Sequence, residues 1–276
     1  ALYAAVAARD AAGALRAGAH LIRLARWALL VLVSCAAAAS AQETIRILHV
    51  GDVNLARTVA RRYILAGRGA EVFAGVAADI RAADIAIVNL ESVLVDRGDS
   101  TDAPGTVVFA GPAQGARLLR DAGFDVVVTA NNHAWDRGRG GLLESRRHLE
   151  AAGLAVSGTA ADLDGAWRPA IVRANGITVA VFSLTTIFNN EGLGIAGHPA
   201  ECCVAWGDTL RLRERVQHAR DSLGAHVVLL SLHQGTEYVG VPLRRELELT
   251  RALARSGVDA VIGHHPHVPQ GVERVN

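Results

Sequence analysis

Three histidines crowd the segment Gly263-His264-His265-Pro266-His267, directly after the apolar run Val258–Ile262. Neutral imidazole is the commonest metal ligand among side chains. A strand-to-loop turn can aim alternate residues, here His265 and His267, at one ion. A histidine-rich turn also occurs on ordinary surfaces, so the rest of the chain decides. Four further segments share its layout, an apolar run followed at once by polar, metal-competent residues. Ile45–Val50 leads into Gly51-Asp52-Val53-Asn54, and Ile85–Val88 into Asn89-Leu90-Glu91. Val126–Val128 leads into Thr129-Ala130-Asn131-Asn132-His133 and then Asp136, and Val227–Leu230 into His233, Gly235, Glu237 and Tyr238.

Each segment has a chemical reading and a plainer one. Asp52 with Asn54 offers a hard carboxylate and an amide oxygen suited to a divalent cation; the plainer reading is a Gly51-Asp52 turn with Asp52 capping the next helix. Glu91 closes a strongly apolar run, where an unpaired carboxylate is costly to bury. It is placed either to bridge two ions or to cap a helix. Asn132 and His133 can divide the work, one binding metal while the other donates a proton to a leaving oxygen. Asp136 would orient that imidazole, unless the stretch is only an Asn-rich turn. His233 reads as a metal ligand or a core histidine, with Glu237 and Tyr238 ordering its loop. His20, His148, His198, His218 and His226 stand outside any cluster and read as structural.

Near-continuous apolar runs are the mark of strands buried on both faces of a mostly parallel sheet. Ligands of open α/β sheets bind outside the carboxyl ends of such strands, so five ends are expected to converge on one cleft. Helical patterning is expected around 71–83, 112–122, 138–152, 208–222 and 243–256, the last after Pro242. Apolar runs at Ala170–Val172 and Ile177–Leu184 flank Asn175-Gly176, a strong hairpin signal that makes the sheet arrangement mixed. Residues 186–207, rich in glycine, read as a long loop of the functional kind.

The 276 residues are 51% hydrophobic, enough to bury one large core. With 28 basic and 27 acidic residues the net charge is +1, which gives no pull toward nucleic acid. Every basic residue apart from histidine is Arg, which fits coding bias. Arg23 and Arg26, the apolar stretch Trp27–Val33 and Ala39-Ser40-Ala41 form the layout of a secretory signal peptide, too short to span a bilayer. Leu32-Val33-Ser34-Cys35 also resembles a lipobox, which would anchor Cys35 to lipid. Residues 1–41 are therefore expected to be a leader and 42–276 the domain, with the product exported to the cell envelope. Cys202 and Cys203 are adjacent, an arrangement disulfide geometry disfavours, and are expected to be unpaired.

The ordered motifs Gly-Asp, Asn-Leu-Glu, Asn-Asn-His-x-x-Asp-x-Gly, His-x-Gly-x-Glu-Tyr and Gly-His-His-Pro-His-Val resemble the bacterial poly-γ-glutamate capsule-synthesis (CapA-type) family. That family is a branch of the calcineurin-like metallophosphoesterase superfamily, and the likeness covers residues 45–271. It implies an α/β layered sandwich, two central mixed β-sheets flanked by helices, with a dinuclear metal cleft at the strand ends. Carried over by motif, Asp52, Asn54, Glu91, Asn132, His233, His265 and His267 would hold two divalent ions, with Mn, Fe or Zn as candidates. His133 would face the substrate, supported by Asp136. The chain departs from the superfamily where Asn54 replaces a His and Glu91 an Asp; either change would weaken one metal position or alter the preferred metal. His264 adjoins the final pair, so that assignment could slip by one. Members of the family continue past the equivalent of Asn276, which suggests an incomplete C-terminus. The implied function is metal-dependent hydrolysis of a phosphoester or γ-glutamyl bond in capsule polymer biosynthesis. The alternative is a non-catalytic envelope factor that binds or hands on an anionic polymer. A membrane capsule-synthase complex is the implied partner, with membrane contact otherwise only through Cys35.

Overall fold

Two four-stranded sheets face each other in the computed structural model, which describes residues 44–98, 107–189 and 198–275. The first contains β1 (Ile47–Val53), β2 (Ile85–Leu90), β5 (Val126–Val128) and β6 (Ala155–Ser157), in that order across the sheet. The second runs β10 (Ala260–His264), β9 (Val227–His233), β8 (Ile177–Thr185), β7 (Ala170–Ala174). A separate parallel pair joins β3 (Val93–Val95) to β4 (Ala110–Pro112).

Every pairing in the first sheet is parallel, which corrects the expectation that both sheets are mixed. Only the second is mixed, because a tight hairpin between β7 and β8 lies there. β7 and β8 pair antiparallel around Asn175-Gly176, both at positive φ (48° and 77°), as a primed two-residue turn requires. The first sheet is instead connected through α1 (Ala77–Ala82), α2 (Gln114–Ala122) and α3 (Gly138–Ala151). Helices α4 (Thr209–Asp221) and α5 (Arg244–Ala254) link strands of the second. The expected helix over 71–83 is shorter than its pattern suggested, with only a 3-10 turn at Gly69–Glu71 before α1.

Ile85, Ile87, Val126 and Val128 of the first sheet pack against Val179, Val181 and Leu229 of the second, forming the central core. The alternate residues Ala86, Val88 and Val127 pack outward under α2 and α3. Both faces of β2 and β5 are thus buried, which is why they read as unbroken apolar runs. Gly158 marks the closest approach of the two sheets beyond β6. At φ +104° an added Cβ would lie 2.6 Å from Ala130 N and 2.7 Å from Ser183 Oγ, so a side chain there would push the layers apart.

Cys202 and Cys203 are not unpaired: they form a disulfide with each other. The bond sits where the 3-10 turn Pro199–Cys202 gives way to a non-helical Cys203 (φ −143°, ψ −4°), a junction that lets neighbouring side chains meet. No helix among the described residues is long and apolar enough to cross a membrane. The leader, including Cys35, lies outside the described residues, as does part of the 186–207 loop.

Candidate metal centre

Five parallel strand ends deliver the site. β1 carries a bulge between Val50 and Asp52, at Gly51, and such bulges re-aim the side chain that follows. Asp52 accordingly meets the histidine turn after β10. Its Oδ1 accepts from Asn89 Nδ2 (2.6 Å) and His264 Nδ1 (3.1 Å), while Oδ2 accepts from the His265 backbone N–H (3.0 Å) and lies 3.3 Å from His267 Nδ1. Glu91 leaves β2 with its backbone N–H on Val53 O (2.9 Å), which holds it beside Asp52. Its carboxylate is 3% exposed and spans two imidazoles, with Oε1 3.5 Å from His233 Nε2 and Oε2 3.9 Å from His267 Nε2.

Two ligand groups result, Glu91–His233–His265 and Asp52–Glu91–His267, each with its donor atoms within 4.8 Å of one another. Asn132 joins the first, its Oδ1 2.8 Å from His233 Nε2. A shared, buried carboxylate flanked by a second carboxylate, an amide oxygen and three imidazoles is a donor set suited to divalent metal. His265 and His267 therefore do not converge on one position, contrary to the simple alternation argument. Both have positive φ (93° and 55°), and the turn leaves their ring centroids 6.1 Å apart, facing different groups. Non-glycine residues hold such conformations only where their surroundings dictate it. Here the turn is tied down by Asp52 on the His265 N–H, by Tyr238 N–H on Pro266 O (2.7 Å) and by Gln234 N–H on His264 O (3.2 Å).

The electrostatics suit ligand duty. Burial, reinforced by the negative charges of Asp52, Glu237 and Asp136, pushes the Glu91 carboxyl up to about 8. Burial also opposes ionisation of Asp52, but the His264 hydrogen bond, the nearby His233 and the Asn89 amide together hold it well below the usual carboxylate range. Burial lowers the pKa of His233 and His265, which favours the neutral form that binds metal.

His133 stands beside this cluster. Its Nδ1 is 2.7 Å from Asp136 Oδ2, and Phe109 stacks on its ring at 3.9 Å between centroids. Asn54 stands apart, its Oδ1 accepting from Ala56 N–H (2.8 Å) to close the turn before the short helix Arg57–Val59. The contact of the Asn54 amide oxygen is thus local, with its own turn rather than with either ligand group.

Three residues escaped the sequence reading, and Asn89, named there only as part of the Asn-Leu-Glu motif, received no role of its own. Asn89 binds Asp52, lies 3.3 Å from His233 Nδ1 and accepts from Asn131 Nδ2 (3.2 Å); an amide in an apolar strand was its available signal. Asn189 touches both Asn132 and His133 from the long loop. Phe109 gave no signal, and His49, within β1, packs its ring at a 37° tilt against His264 (4.9 Å between centroids). A further group, Asp96–Glu144–His148, lies toward the surface with Arg147 3.5 Å from Asp96, and reads as an ion-pair cluster.

Against known proteins, the family described as bacterial capsule synthesis protein PGA_cap matches residues 46–276. The PGA biosynthesis protein CapA of Bacillus subtilis (strain 168) is 28% identical over 229 residues, covering 82% of this chain and 58% of its own length. The capsule biosynthesis protein CapA of Bacillus anthracis is 25% identical over 236 residues, covering 84% and 56% respectively. The chain thus spans just over half the length of these curated relatives. A Staphylococcus aureus crystal structure, described provisionally as a 5'-nucleotidase in complex with alpha-ketoglutarate, overlaps 84% of this chain and 46% of its own, at 18% identity and a TM-score of 0.49.

Proposed function

The chain belongs to the bacterial capsule synthesis protein PGA_cap family, and from that premise we propose that it is an exported, metal-dependent hydrolase acting on a capsule polymer or its phosphoester precursor. Poly-γ-glutamate is the polymer that the relatives' names suggest. The observation behind the hydrolase reading is the pair of ligand groups sharing buried Glu91.

Asp52, Glu91 and His267 would hold one ion, and Glu91, Asn132, His233 and His265 the other. Divalent ions held by these residues would supply Lewis-acid chemistry, lowering the pKa of water and polarising the centre under attack. The protein's own contribution is then proton management beside the cluster. Asp136 accepts from His133 Nδ1 and stabilises the imidazolium, leaving Nε2 to donate a proton to the departing oxygen or nitrogen. Phe109 limits ring rotation, so the proton is presented in one direction. Asn89 and His264 fix Asp52 through hydrogen bonds, as residues behind metal ligands commonly do.

The test is elemental analysis of the purified chain, with the double variant His265→Ala, His267→Ala alongside and a chromogenic phosphodiester as the first substrate. Near two equivalents of divalent metal, lost in the double variant, with turnover lost on chelation, is the expected result. A folded wild type without metal overturns the reading. Chelator-sensitive binding of polyglutamate without turnover replaces hydrolysis with polymer handling.

A further inference from the structure

Asn189 lies just beyond the carboxyl end of β8, in the long loop, and its amide touches the site twice. Its Oδ1 accepts from Asn132 Nδ2 at 2.8 Å. Its Nδ2 lies 3.1 Å from His133 Nδ1 and 3.2 Å from Nε2. Near-equal distances to the two ring nitrogens place that group over the ring, since an equidistant point in the ring plane would collide with Cε1. Phe109 already covers one face of His133, so the Asn189 amide covers the other. The neighbouring residues are anchored. Phe188 packs on the cluster of Ala130, Ala134, Leu142 and Cys203 beneath the Asn131–His133 turn and stacks on His198 at 4.8 Å. Thr186 N–H donates to His233 O at 3.0 Å, tying the start of the loop to β9.

We infer that Asn189 is a positioning residue that fixes which end of the Asn132 amide faces the metal cluster. Asn132 has one oxygen to offer an ion and one NH2 group that cannot bind one. With Asn189 Oδ1 accepting from that NH2, the Asn132 oxygen points at His233 Nε2 and the Glu91–His233–His265 group. Without the acceptor, Asn132 can turn over and present N–H groups to the cation. The Asn189 NH2, left free by this arrangement, then rests on His133, so one amide sets both the ligand and the proton donor. The inference rests on the two-ion reading above. It concerns one of the two positions only, because nothing from Asn189 reaches Asp52 or His267 directly.

The experiment is Mn(II) binding to the full chain by equilibrium dialysis, comparing wild type with Asn189→Ala and Asn189→Asp, each checked for folding by circular dichroism. Asn189→Ala is expected to weaken one of two sites by about 10–100-fold, the usual effect of removing an outer-shell partner, and to leave the other site unchanged. Asn189→Asp keeps an oxygen that accepts from Asn132 and is expected to restore the weakened site. Wild-type affinity at both sites in Asn189→Ala overturns the positioning role while the two-ion reading stands. Equal losses in the alanine and aspartate variants overturn it too, since an acceptor would then not be what matters. A wild type that binds no Mn(II) removes both the inference and the reading beneath it.

Discussion

The two sheets furnish the cleft with different chemistry. The parallel sheet supplies the oxygen ligands, with Asp52 after the β1 bulge, Glu91 after β2 and Asn132 after β5. The mixed sheet supplies only imidazoles to the ligand groups: His233 from β9, and His265 and His267 after β10. Neither wall alone could hold an ion well, because each of the two groups takes ligands from both. A cation bound here is therefore a cross-link between sheets that otherwise meet through apolar packing. Glu91 is the residue common to both groups, and it is the most costly of the set to leave without a partner.

The comparison breaks most directly at Glu91. Glu91→Ala is expected to abolish binding of both ions, whereas removing His265 or His267 alone removes one. Each bound ion stabilises the folded state by about 2.7 kcal/mol at a hundredfold excess over its Kd. For a domain of this size that amounts to roughly a 5–10 °C rise in Tm per ion. Glu91→Ala should lose this rise entirely by differential scanning fluorimetry with Mn(II). A retained rise would mean the sheets are not joined through this carboxylate. The next effect is confined to the parallel sheet's side. His133→Ala is expected to lower phosphodiester turnover by about 10²–10⁴-fold, the usual contribution of a general acid, with metal content unchanged. Asp136→Asn should cost less, since it leaves the imidazole in place. Unchanged turnover in His133→Ala would remove His133 as the proton donor.

The asymmetry also explains what could be read from sequence. Strand-end candidates such as Asp52, Glu91, His233 and His265 were legible because each follows an apolar run, buried throughout in β2 and nearly so in β9, and the run announces where the chain enters the cleft. Among the three-residue strands only β5 was legible, because polar, metal-competent residues follow it at once; β3, β4 and β6 are as short and have no such continuation to mark them. Asn89, Phe109 and Asn189 act through partners 37, 24 and 56 or 57 positions away (Asp52; His133; Asn132 and His133), and no local pattern encodes such a pairing. The separate aims of His265 and His267 depend on positive φ at two non-glycine residues, a conformation imposed by Asp52 and the Tyr238 loop rather than by their own types. Asn54 had the right chemistry beside Asp52 and lost it to a local hydrogen bond.

The smallest expected effect is a pH dependence of the metal-free chain. Glu91 has a folded-state pKa raised from 4.5 to about 8. Between these values the folded chain holds a proton that the unfolded chain has released, so stability falls as pH rises through this interval. His49, His198, His233 and His265 act in the opposite sense: burial lowers their pKa values, so stability rises with pH until the unfolded imidazoles, ordinarily near 6.5, have lost their protons about one unit higher. Asp52 is depressed, so its contribution is lost only in acid. The window above about pH 7.5 therefore isolates Glu91, with a slope of at most about 1.4 kcal/mol per pH unit for one proton. Thermal unfolding in chelator should show Tm declining across that window in wild type and flat in Glu91→Gln. Adding Mn(II) at pH 7 should release the same proton, visible calorimetrically as a buffer-dependent binding enthalpy that the Gln variant lacks. A flat wild-type profile would mean that Glu91 is already ionised without metal, and that the oxygen-rich wall tolerates its own charge.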